Sequence, residues 1–404
     1  MSTTDSLRVE TPAIPSLAVL ALSLAAFASG ASIRVTDPAL PRLAVEFGVS
    51  LGDAANVVTI FSVAYGLMQL FFGPVGDRFG KYLVVAWACA ACAPTAMLCA
   101  LAPDFHWLLA ARLVAGATAG AIIPLSMAWL GDVVPYESRQ PVLARFMSGQ
   151  ILGFSAGQLA GGFAAQYLSW RLPFIGLALC YAVVSVLLFA LNRRLPVHAR
   201  TVHKATGGAL KRTVAEFGQV LARPWARIVL ATVFFEGVFL YGGFAFTASH
   251  LHREHGLGLS AAGTLVMLFG LGCLVYAALS RRLVKRLGEV GLARWGGILL
   301  FASLLATGVG AHWWWAVPGC FFAGLGFYMF HNTLQTHATQ MAPERRGAAL
   351  SSFAFCFFFG QSAGVALGGL MVEGAGTGLV IAAGAAGMLA VTLNFTRLLS
   401  ARHS

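Results

Sequence analysis

Charged residues are scarce in this sequence. They make up 10% of its 404 residues, whereas about a quarter of a typical soluble domain is charged. Hydrophobic residues account for 58%, and they gather in runs of the roughly 20 residues that cross a bilayer as a helix. The scarcity of charge excludes an ordinary soluble protein, and the apolar runs provide for about twelve membrane spans.

The sequence also lacks the patterns that carry catalysis or hold a cofactor. It contains no glycine loop ending in Lys-Ser or Lys-Thr, no two-histidine zinc motif and no plausible Ser/His/Asp set. All seven cysteines fall inside apolar runs, where small buried hydrophobes are their usual role. We therefore expect no enzyme, no cofactor, no metal and no disulfide.

The net charge of +12 reflects membrane topology rather than a nucleic-acid surface, since no zinc-ligand spacing, basic helix or RNA-binding pattern accompanies it. With the amino terminus placed inside, 22 of the 27 Lys and Arg residues fall in inner loops, the linker or the termini. The positive-inside rule therefore predicts a multi-pass protein of a cell membrane, expected to be a bacterial inner membrane, with both termini cytoplasmic.

The chain contains an internal repeat. A shift of 207 residues places Gly153 on Gly360, and a shift of 208 places Gly80 on Gly288. Repeats of this kind are typical of transporters built from two similar halves.

A basic stretch separates the two repeats, with eight Lys or Arg residues and one Glu. We predict an all-α integral membrane fold of twelve transmembrane helices in two pseudo-symmetric halves. The parts are a six-helix bundle over residues 1–191, a basic cytoplasmic linker over 192–227 and a second six-helix bundle over 228–404. Leu210, Val214, Phe217 and Leu221 recur at helical spacing in the linker, which indicates an amphipathic helix, either on the membrane surface or solvated.

A glycine-rich, charged stretch lies between the second and third apolar runs, and it predicts a tight polar turn. Its key residues are Gly73, Gly76, Asp77, Arg78, Gly80 and Lys81. The pattern G-x-x-x-D-R-x-G-K resembles the signature loop between spans 2 and 3 of the major facilitator superfamily, which implies two six-helix halves and alternating access.

The resemblance implies a gating role for this loop. Asp77 is expected to meet the helix amino terminus near Gly347 when the protein is open outward, because helix dipoles favour a carboxylate there. Arg78 is expected to pair with Glu137, in a loop that also carries Arg139. A plain basic cytoplasmic turn is the alternative.

Two further stretches resemble motifs of the same superfamily. Arg112 precedes a glycine-rich segment on span 4, and span 5 carries a run similar to the antiporter motif, with Gln158 in place of its usual proline. The run comprises Gly153, Gly157, Gln158, Gly161 and Gly162. Glycines spaced by four also serve ordinary close helix packing, which is the alternative reading. The chain most resembles the twelve-span drug–proton antiporters, which implies protons and a small molecule as ligands; we expect a monomer in the lipid bilayer.

Four ionisable residues lie within or at the ends of predicted spans, where such residues usually face a cavity or a partner. They are Arg34 and Asp37 on span 1, Arg112 on span 4 and Glu236 on span 7. Arg34 and Asp37 share a helix face. We expect an Asp37–Arg112 pair flanked by Arg34, either coupled to transport or a fixed structural ion pair.

Glu236 lies about 12 Å into its span at 1.5 Å per residue. An ionised carboxylate is costly at that depth, so Glu236 is a candidate to exchange a proton or hold a cation. A permanently neutral, hydrogen-bonded Glu is the alternative.

Other polar residues are candidates to line a substrate cavity. They are Tyr65 and Gln69 on span 2, and His331, Asn332 and Gln335 on span 10. A lone histidine in a membrane span also serves as a helix-packing hydrogen-bonder, which is the alternative for His331.

Together these features favour a secondary active transporter, with proton-coupled efflux of small amphipathic compounds as the leading hypothesis. The alternative is a facilitator or symporter that imports a metabolite or organic anion, for which Arg34 and Arg112 would be suited.

The predicted topology is testable by cysteine labelling. A single cysteine introduced at Ala205, in a cysteine-free background, should react with a membrane-impermeant maleimide only after the cells are permeabilised. Labelling from outside intact cells would contradict a cytoplasmic linker.

Overall fold

The computed structural model describes residues 16–200 and 209–403, and its regular elements there are helices. In chain order, the long helices are α1 Ser16–Arg34, α2 Asn56–Phe79, α3 Lys81–Ala100, α4 Phe105–Ala119 with its continuation Ile122–Val133, α5 Tyr136–Tyr167, α6 Leu172–Asn192, α7 Pro224–Phe244, α8 (259–287) and α9 (289–309) within Leu259–Val309, α10 Ala316–Gln340, and α11 (346–375) and α12 (377–403) within Arg346–His403. Short helices cover Leu40–Phe47, Leu51–Ala54 and Thr247–Arg253, and Ala209–Leu221 forms the linker helix.

The all-helical membrane architecture predicted from the sequence is confirmed. Eight helical stretches in the described part of the chain are long and apolar enough to cross a membrane. Each predicted span coincides with one of the helices α1–α12. Because α5 and α10 are not among those eight stretches, the count of twelve crossings stays a prediction.

The predicted turn over residues 73–81 is wrong in its extent. Helix α2 continues through Pro74 to Phe79, and α3 begins at Lys81, so Gly80 alone reverses the chain. Its φ of 91° lies in a region that glycine adopts readily. Contacts of Val75 and Gly76 with the core hold α2 together beyond the proline.

The internal repeat is visible in the backbone turns. Five glycines in the described residues have positive φ, and four of them form two pairs related by a shift of 208 residues. Gly48 (φ 62°) corresponds to Gly256 (φ 67°), and Gly80 corresponds to Gly288 (φ 63°). The repeat therefore places equivalent chain reversals in both halves.

The repeat also governs how helices pack within each half. On α5, a Cβ at Gly153, Gly157 or Gly161 would overlap a carbonyl oxygen of α1 or of the residue after it, and the same holds for glycines of α11 against α7. The contacts are Gly153 on Phe27, Gly157 on Ala31, Gly161 on Val35, Gly360 on Phe234, Gly364 on Val238 and Gly368 on Gly242. In every pair the glycine follows its partner by 126 residues, so the α1–α5 and α7–α11 contacts are the same contact made twice.

The two halves meet at one end of the bundle. We call the end where α1 ends and α2 begins the far end, and the end where α2 passes into α3 the near end. At the far end, the backbones of Gly52 and Gly369 touch, as do those of Gly162 and Gly263. Helices α2 and α11 stay packed as far as Gly66 and Phe358, about halfway along α2.

The linker helix packs against the second half. Glu216 lies 3.5 Å from Arg345, and Arg223 pairs with Glu344. Leu221, predicted on the apolar face, is 51% exposed, while Val220 is fully buried. The side chains of Leu210 and Val214 lie outside the described residues, and a position on a membrane surface stays a prediction.

The glycine contacts lead to a paired stability prediction. Gly153→Ala and Gly360→Ala should each lower the thermal unfolding temperature of the detergent-solubilised protein, because a methyl group at either site forces two helices apart. The matched control is Gly176→Ala on α6, where the new Cβ has no atom within 4 Å; alanine there should be neutral or stabilising by about 0.5–1 kcal/mol. Equal behaviour of Gly153→Ala and Gly176→Ala would contradict the packing account.

Candidate functional site

Arg34 and Asp37 form a buried cluster where α1 ends. Arg34 Nη1 lies 3.4 Å from Asp37 Oδ2, and Gln158 Nε2 of α5 donates to the same oxygen over 3.3 Å. The Asp37 residue is only 1% exposed. The helix breaks here because Pro38 follows Asp37 and opens a short 3-10 turn. The predicted shared face of Arg34 and Asp37 is thus present, with Gln158 as a third member.

Arg34 also joins the two halves. Its Nη2 donates to Gln361 Oε1 of α11 over 3.1 Å, and Gln361 Nε2 donates to Ser62 Oγ of α2 over 2.8 Å. The guanidinium carbon of Arg34 lies 3.9 Å from the ring centre of Tyr241 on α7, a favourable cation–π distance. A single cation therefore contacts α7 and α11 of the second half.

The prediction of an Asp37–Arg112 ion pair is wrong. Arg112 is fully buried and donates instead from Nε to the Val57 carbonyl and from Nη1 to the Ser32 carbonyl, both over 3.1 Å. Its guanidinium carbon also lies 4.0 Å from the ring centre of Phe61. Ser32 lies in the last turn of α1, where helix carbonyls lack intrahelical partners. Arg112 therefore ties α4 to α1 and α2.

Glu236 and His331 form the second group of ionisable side chains in the core. Glu236 is fully buried in the middle of α7, and its Oε2 lies 2.8 Å from His331 Nδ1 of α10. The His331 side chain is 17% exposed. Within the described residues, Glu236 Oε1 has no hydrogen-bond partner. The sequence singled out both residues on separate spans, and the fold brings them into contact.

Aromatic rings connect these two groups. The ring centre of Tyr241, under Arg34, lies 5.8 Å from that of Phe357, which in turn lies 4.7 Å from His331. Phe327 stacks on His331 at 4.8 Å. The Arg34–Asp37 cluster and the Glu236–His331 pair are thus joined by an apolar aromatic path.

Two of the remaining candidates for a cavity wall make contacts inside the protein. One lies at the interface between the halves, and the other binds a residue of its own half. The Tyr65 ring lies 4.6 Å from Phe358 of α11, and its hydroxyl lies 3.4 Å from Ser29 Oγ. Asn332 Nδ2 donates to the Tyr276 hydroxyl over 3.0 Å.

Two further candidates for a cavity wall take part in none of the contacts described above. Gln69 is buried on α2, and Gln335 is partly buried on α10. A small cavity lies beside the Arg34–Asp37 cluster, lined by Arg34, Phe154, Gln158 and Phe269 among others.

The predicted gating loop makes two ion pairs at the near end. Lys81 Nζ lies 3.6 Å from Asp77 and 2.6 Å from Asp132 of α4. Arg139 donates to the Val134 carbonyl. The Glu137 side chain lies outside the described part of the chain, so its pairing with Arg78 stays a prediction, as does the Asp77 contact near Gly347.

Sequence reasoning missed Gln361, Ser62 and Asp132. Gln361 follows an aromatic run, and an uncharged amide within an apolar span was a signal that could have drawn attention to it. Ser62 and Asp132 carried no such signal, because one is a small hydroxyl in a helix and the other a charge at a helix end. Among the described residues, no cluster of three His, Cys, Asp or Glu side chains could hold a metal ion.

Comparison with known proteins identifies relatives. The family model described as Major Facilitator Superfamily matches residues 22–365. The chain is 26% identical over 277 residues to the uncharacterized MFS-type transporter YwfA of Bacillus subtilis (strain 168), a match covering 68% of this chain and 66% of that protein. It is 29% identical over 176 residues to the multidrug export protein EmrB of Escherichia coli (strain K12), covering 43% of this chain and 34% of EmrB.

A solved structure shares the fold. The human organic anion transporter MFSD10 (TETRAN) superimposes with a TM-score of 0.72 over 94% of this chain and 98% of that one, at 18% sequence identity. At that identity the likeness concerns the fold alone.

The contacts of Arg112 lead to a stability prediction. Arg112→Ala should destabilise the protein strongly, because each hydrogen bond from a charged donor contributes about 1.5–3 kcal/mol and both carbonyl acceptors would be left buried. The control is Arg42→Ala, which removes an exposed cation paired with Glu46 at 3.6 Å; such a surface pair contributes about 0–1 kcal/mol. Thermal unfolding followed by tryptophan fluorescence measures the stability of both variants. An Arg112→Ala variant as stable as Arg42→Ala would contradict the stabilising role of the Arg112 hydrogen bonds.

Proposed function

The chain belongs to the Major Facilitator Superfamily and is a multi-pass membrane transporter, and we propose that it is a proton-coupled antiporter that exports small amphipathic compounds. The observation that carries this proposal is the Glu236–His331 pair, a fully buried carboxylate in contact with a partly exposed imidazole. The far end would face outward, with both termini in the cytoplasm of a bacterial cell, as the distribution of basic residues predicts.

Burial limits the charge states open to Glu236. An isolated ionised carboxylate in apolar surroundings is costly, so Glu236 is either protonated or paired with a protonated His331. Histidine changes its protonation state readily in the physiological range. The pair can therefore take up a proton and release it at a site where the partly exposed His331 is the member that solvent reaches.

The surroundings of the pair suit an amphipathic substrate. Phe327, Phe353 and Phe357 pack around the His331 ring at 4.8, 5.3 and 4.7 Å. A substrate with an apolar body and a cationic group would gain aromatic contacts and compete with the proton for Glu236 Oε1. Competition of that kind at one carboxylate is what exchange of a proton for a substrate requires.

Relatives support export. EmrB is named a multidrug export protein, and a fungal relative, 24% identical over 315 residues, is named efflux pump radE. The glycine run on α5 that resembles the antiporter motif packs directly on α1 and, through Gly162, on α8 of the other half. A motif at that junction is well placed to affect how the two halves move.

A second function is favoured by one observation. The Arg34 guanidinium lines the small cavity at the end of α1, and a buried cation there would suit an anionic substrate. In that reading the protein is a facilitator or symporter for a metabolite or organic anion, and Gln361 and Tyr241 would hold Arg34 in place.

Transport in proteoliposomes distinguishes the two functions. A thermal-shift screen of lipophilic cations, such as ethidium, and of organic anions first identifies a ligand. Antiport predicts that a ligand gradient drives proton movement in the opposite direction, measured with internal pyranine. A ligand gradient that moves no protons would contradict antiport and favour the facilitator, and proton movement in the same direction as the ligand would favour the symporter.

The role of Glu236 is tested by Glu236→Gln. This variant should lose transport driven by a pH gradient yet retain ligand exchange, since the amide preserves shape but carries no exchangeable proton. The matched control is Glu254→Gln, an exposed carboxylate at the far end, which should behave as the unmodified protein. Normal gradient-driven transport by Glu236→Gln would show that another group carries the exchangeable proton, with Asp37 the next candidate.

A further inference from the structure

Two side-chain contacts cross between the halves at the far end, and their acceptors occupy equivalent positions in the two halves. Gln166 of α5 accepts a hydrogen bond from the Ser260 backbone N–H over 2.7 Å. Glu373 of α11 accepts one from the Leu51 backbone N–H over 2.8 Å. Gln166 and Glu373 are separated by 207 residues, the same shift that relates the glycine contacts of the two halves.

Each contact completes the amino terminus of a helix in the opposite half. The first N–H groups of a helix have no intrahelical partner and need a side-chain acceptor. Helix α8 begins after Gly258, which has no side chain to act as its own cap, and Gln166 supplies the acceptor. At Leu51–Ala54, Ser50 caps the Asp53 N–H, which leaves the Leu51 N–H for Glu373.

The same symmetry extends along both seams. Gly162 touches Leu259, and Gly369 touches Gly52, which are exchanged by the 207-residue shift. Ser155 Oγ lies 3.4 Å from the Met267 carbonyl, and its counterpart Ser362 Oγ lies 3.2 Å from the Thr59 carbonyl, an acceptor related to Met267 by a shift of 208 residues. Ser362 Oγ also lies 2.9 Å from the Phe358 carbonyl of its own helix. The seam between α5 and α8 and the seam between α2 and α11 are therefore two copies of one interface.

We propose that Gln166 and Glu373 form a pair of pseudo-symmetric capping latches that hold the far end of the transporter closed. For that end to open, α8 must leave α5 and the short helix Leu51–Ala54 must leave α11, so both caps must break. Their loss leaves helix N–H groups to be solvated by water, which shifts the equilibrium toward the conformation open at the far end. The proposal concerns alternation between conformations and does not depend on proton coupling.

The latches sit at the rim rather than in the core. Both acceptor side chains belong to exposed residues, so water can replace them when the halves separate and the penalty for opening stays modest. Deeper in the same seam, Arg34, Gln361 and Ser62 form a buried hydrogen-bond network between α1, α2 and α11. Position 154, the counterpart of Gln361, is a phenylalanine, so the Arg34–Gln361–Ser62 network has no copy in the other seam.

Hydrogen–deuterium exchange on the purified full-length protein tests the latches. Gln166→Leu and Glu373→Leu each remove the acceptor while keeping side-chain bulk. Each should raise exchange in peptides that cover Leu51–Ala54 and the start of α8. Each should also lower exchange in near-end peptides around Gly80 and Gly288, because the near end closes as the far end opens. The expected shift in the ratio of open to closed states is about fivefold per latch, which corresponds to about 1 kcal/mol.

The double variant makes the test quantitative. If both latches act on one equilibrium, the Gln166→Leu, Glu373→Leu protein should show the product of the two single shifts, about 25-fold. Gln166→Glu and Glu373→Gln keep an acceptor and should retain the original exchange pattern. Glu254→Leu, which removes an exposed far-end carboxylate outside both seams, is the matched control.

Three outcomes would overturn the proposal. The first is unchanged exchange at both seams in the leucine variants. The second is faster exchange at the far end without slower exchange at the near end, which would indicate local fraying of a helix end. The third is a change in hydrogen exchange in the acceptor-retaining variants that equals the change in the leucine variants. That result would show that the hydrogen bonds do not hold the far end closed.

Discussion

The close approach of glycine-lined helices is the constraint on which the rest of this structure depends. Without a hydrophobic driving force between helices in lipid, association relies on van der Waals contact and on backbones that can come near each other. Gly153, Gly157 and Gly161 let α5 lie directly on the carbonyls of α1. That contact fixes the height of α1 relative to α5 and so brings Gln158 beside Asp37. The α7–α11 contact likewise places Gly360 on Phe234, next to the helix turn that carries Glu236.

Polar groups in this interior are arranged around a few charged side chains. Arg112 uses backbone carbonyls as acceptors and Arg34 uses an amide, a carboxylate and an aromatic face. Such partners surround a buried guanidinium without a one-to-one ion pair, and among the described residues Arg112 Nη2 has no hydrogen-bond partner. The consequence is a difference in role: Arg112 binds helices within the first half, while Arg34 reaches across to the second. A contact that crosses between halves changes during alternation, and a contact within one half persists.

Several contacts between the two halves are duplicated, whereas the ionisable residues of the core are not. The contacts at α5–α8 and α2–α11 repeat with shifts of 207 or 208 residues, and the glycine contacts inside each half repeat with a shift of 207. The charged groups do not repeat: Glu236 has Ser29 at its counterpart in the first half, and Arg34 has Tyr241 in the second. A scaffold of duplicated helix contacts thus surrounds a group of ionisable side chains that has no copy in the other half.

The sequence by itself determined the membrane class, the helices, the repeat and which ionisable residues lie within the apolar helices, because length, apolarity and charge placement are properties of the chain read in order. It also determined that Arg34 and Asp37 share a face, since three residues separate them. The contact of Glu236 with His331, the preference of Arg112 for carbonyls over Asp37, and the caps made by Gln166 and Glu373 were decided by the tertiary structure alone. Each joins residues from different helices, and the distance between two helix faces depends on how backbones pack and rotate about one another. Hydrophobic periodicity carries no record of those rotations, and a side chain with several possible acceptors takes the one that packing brings within reach.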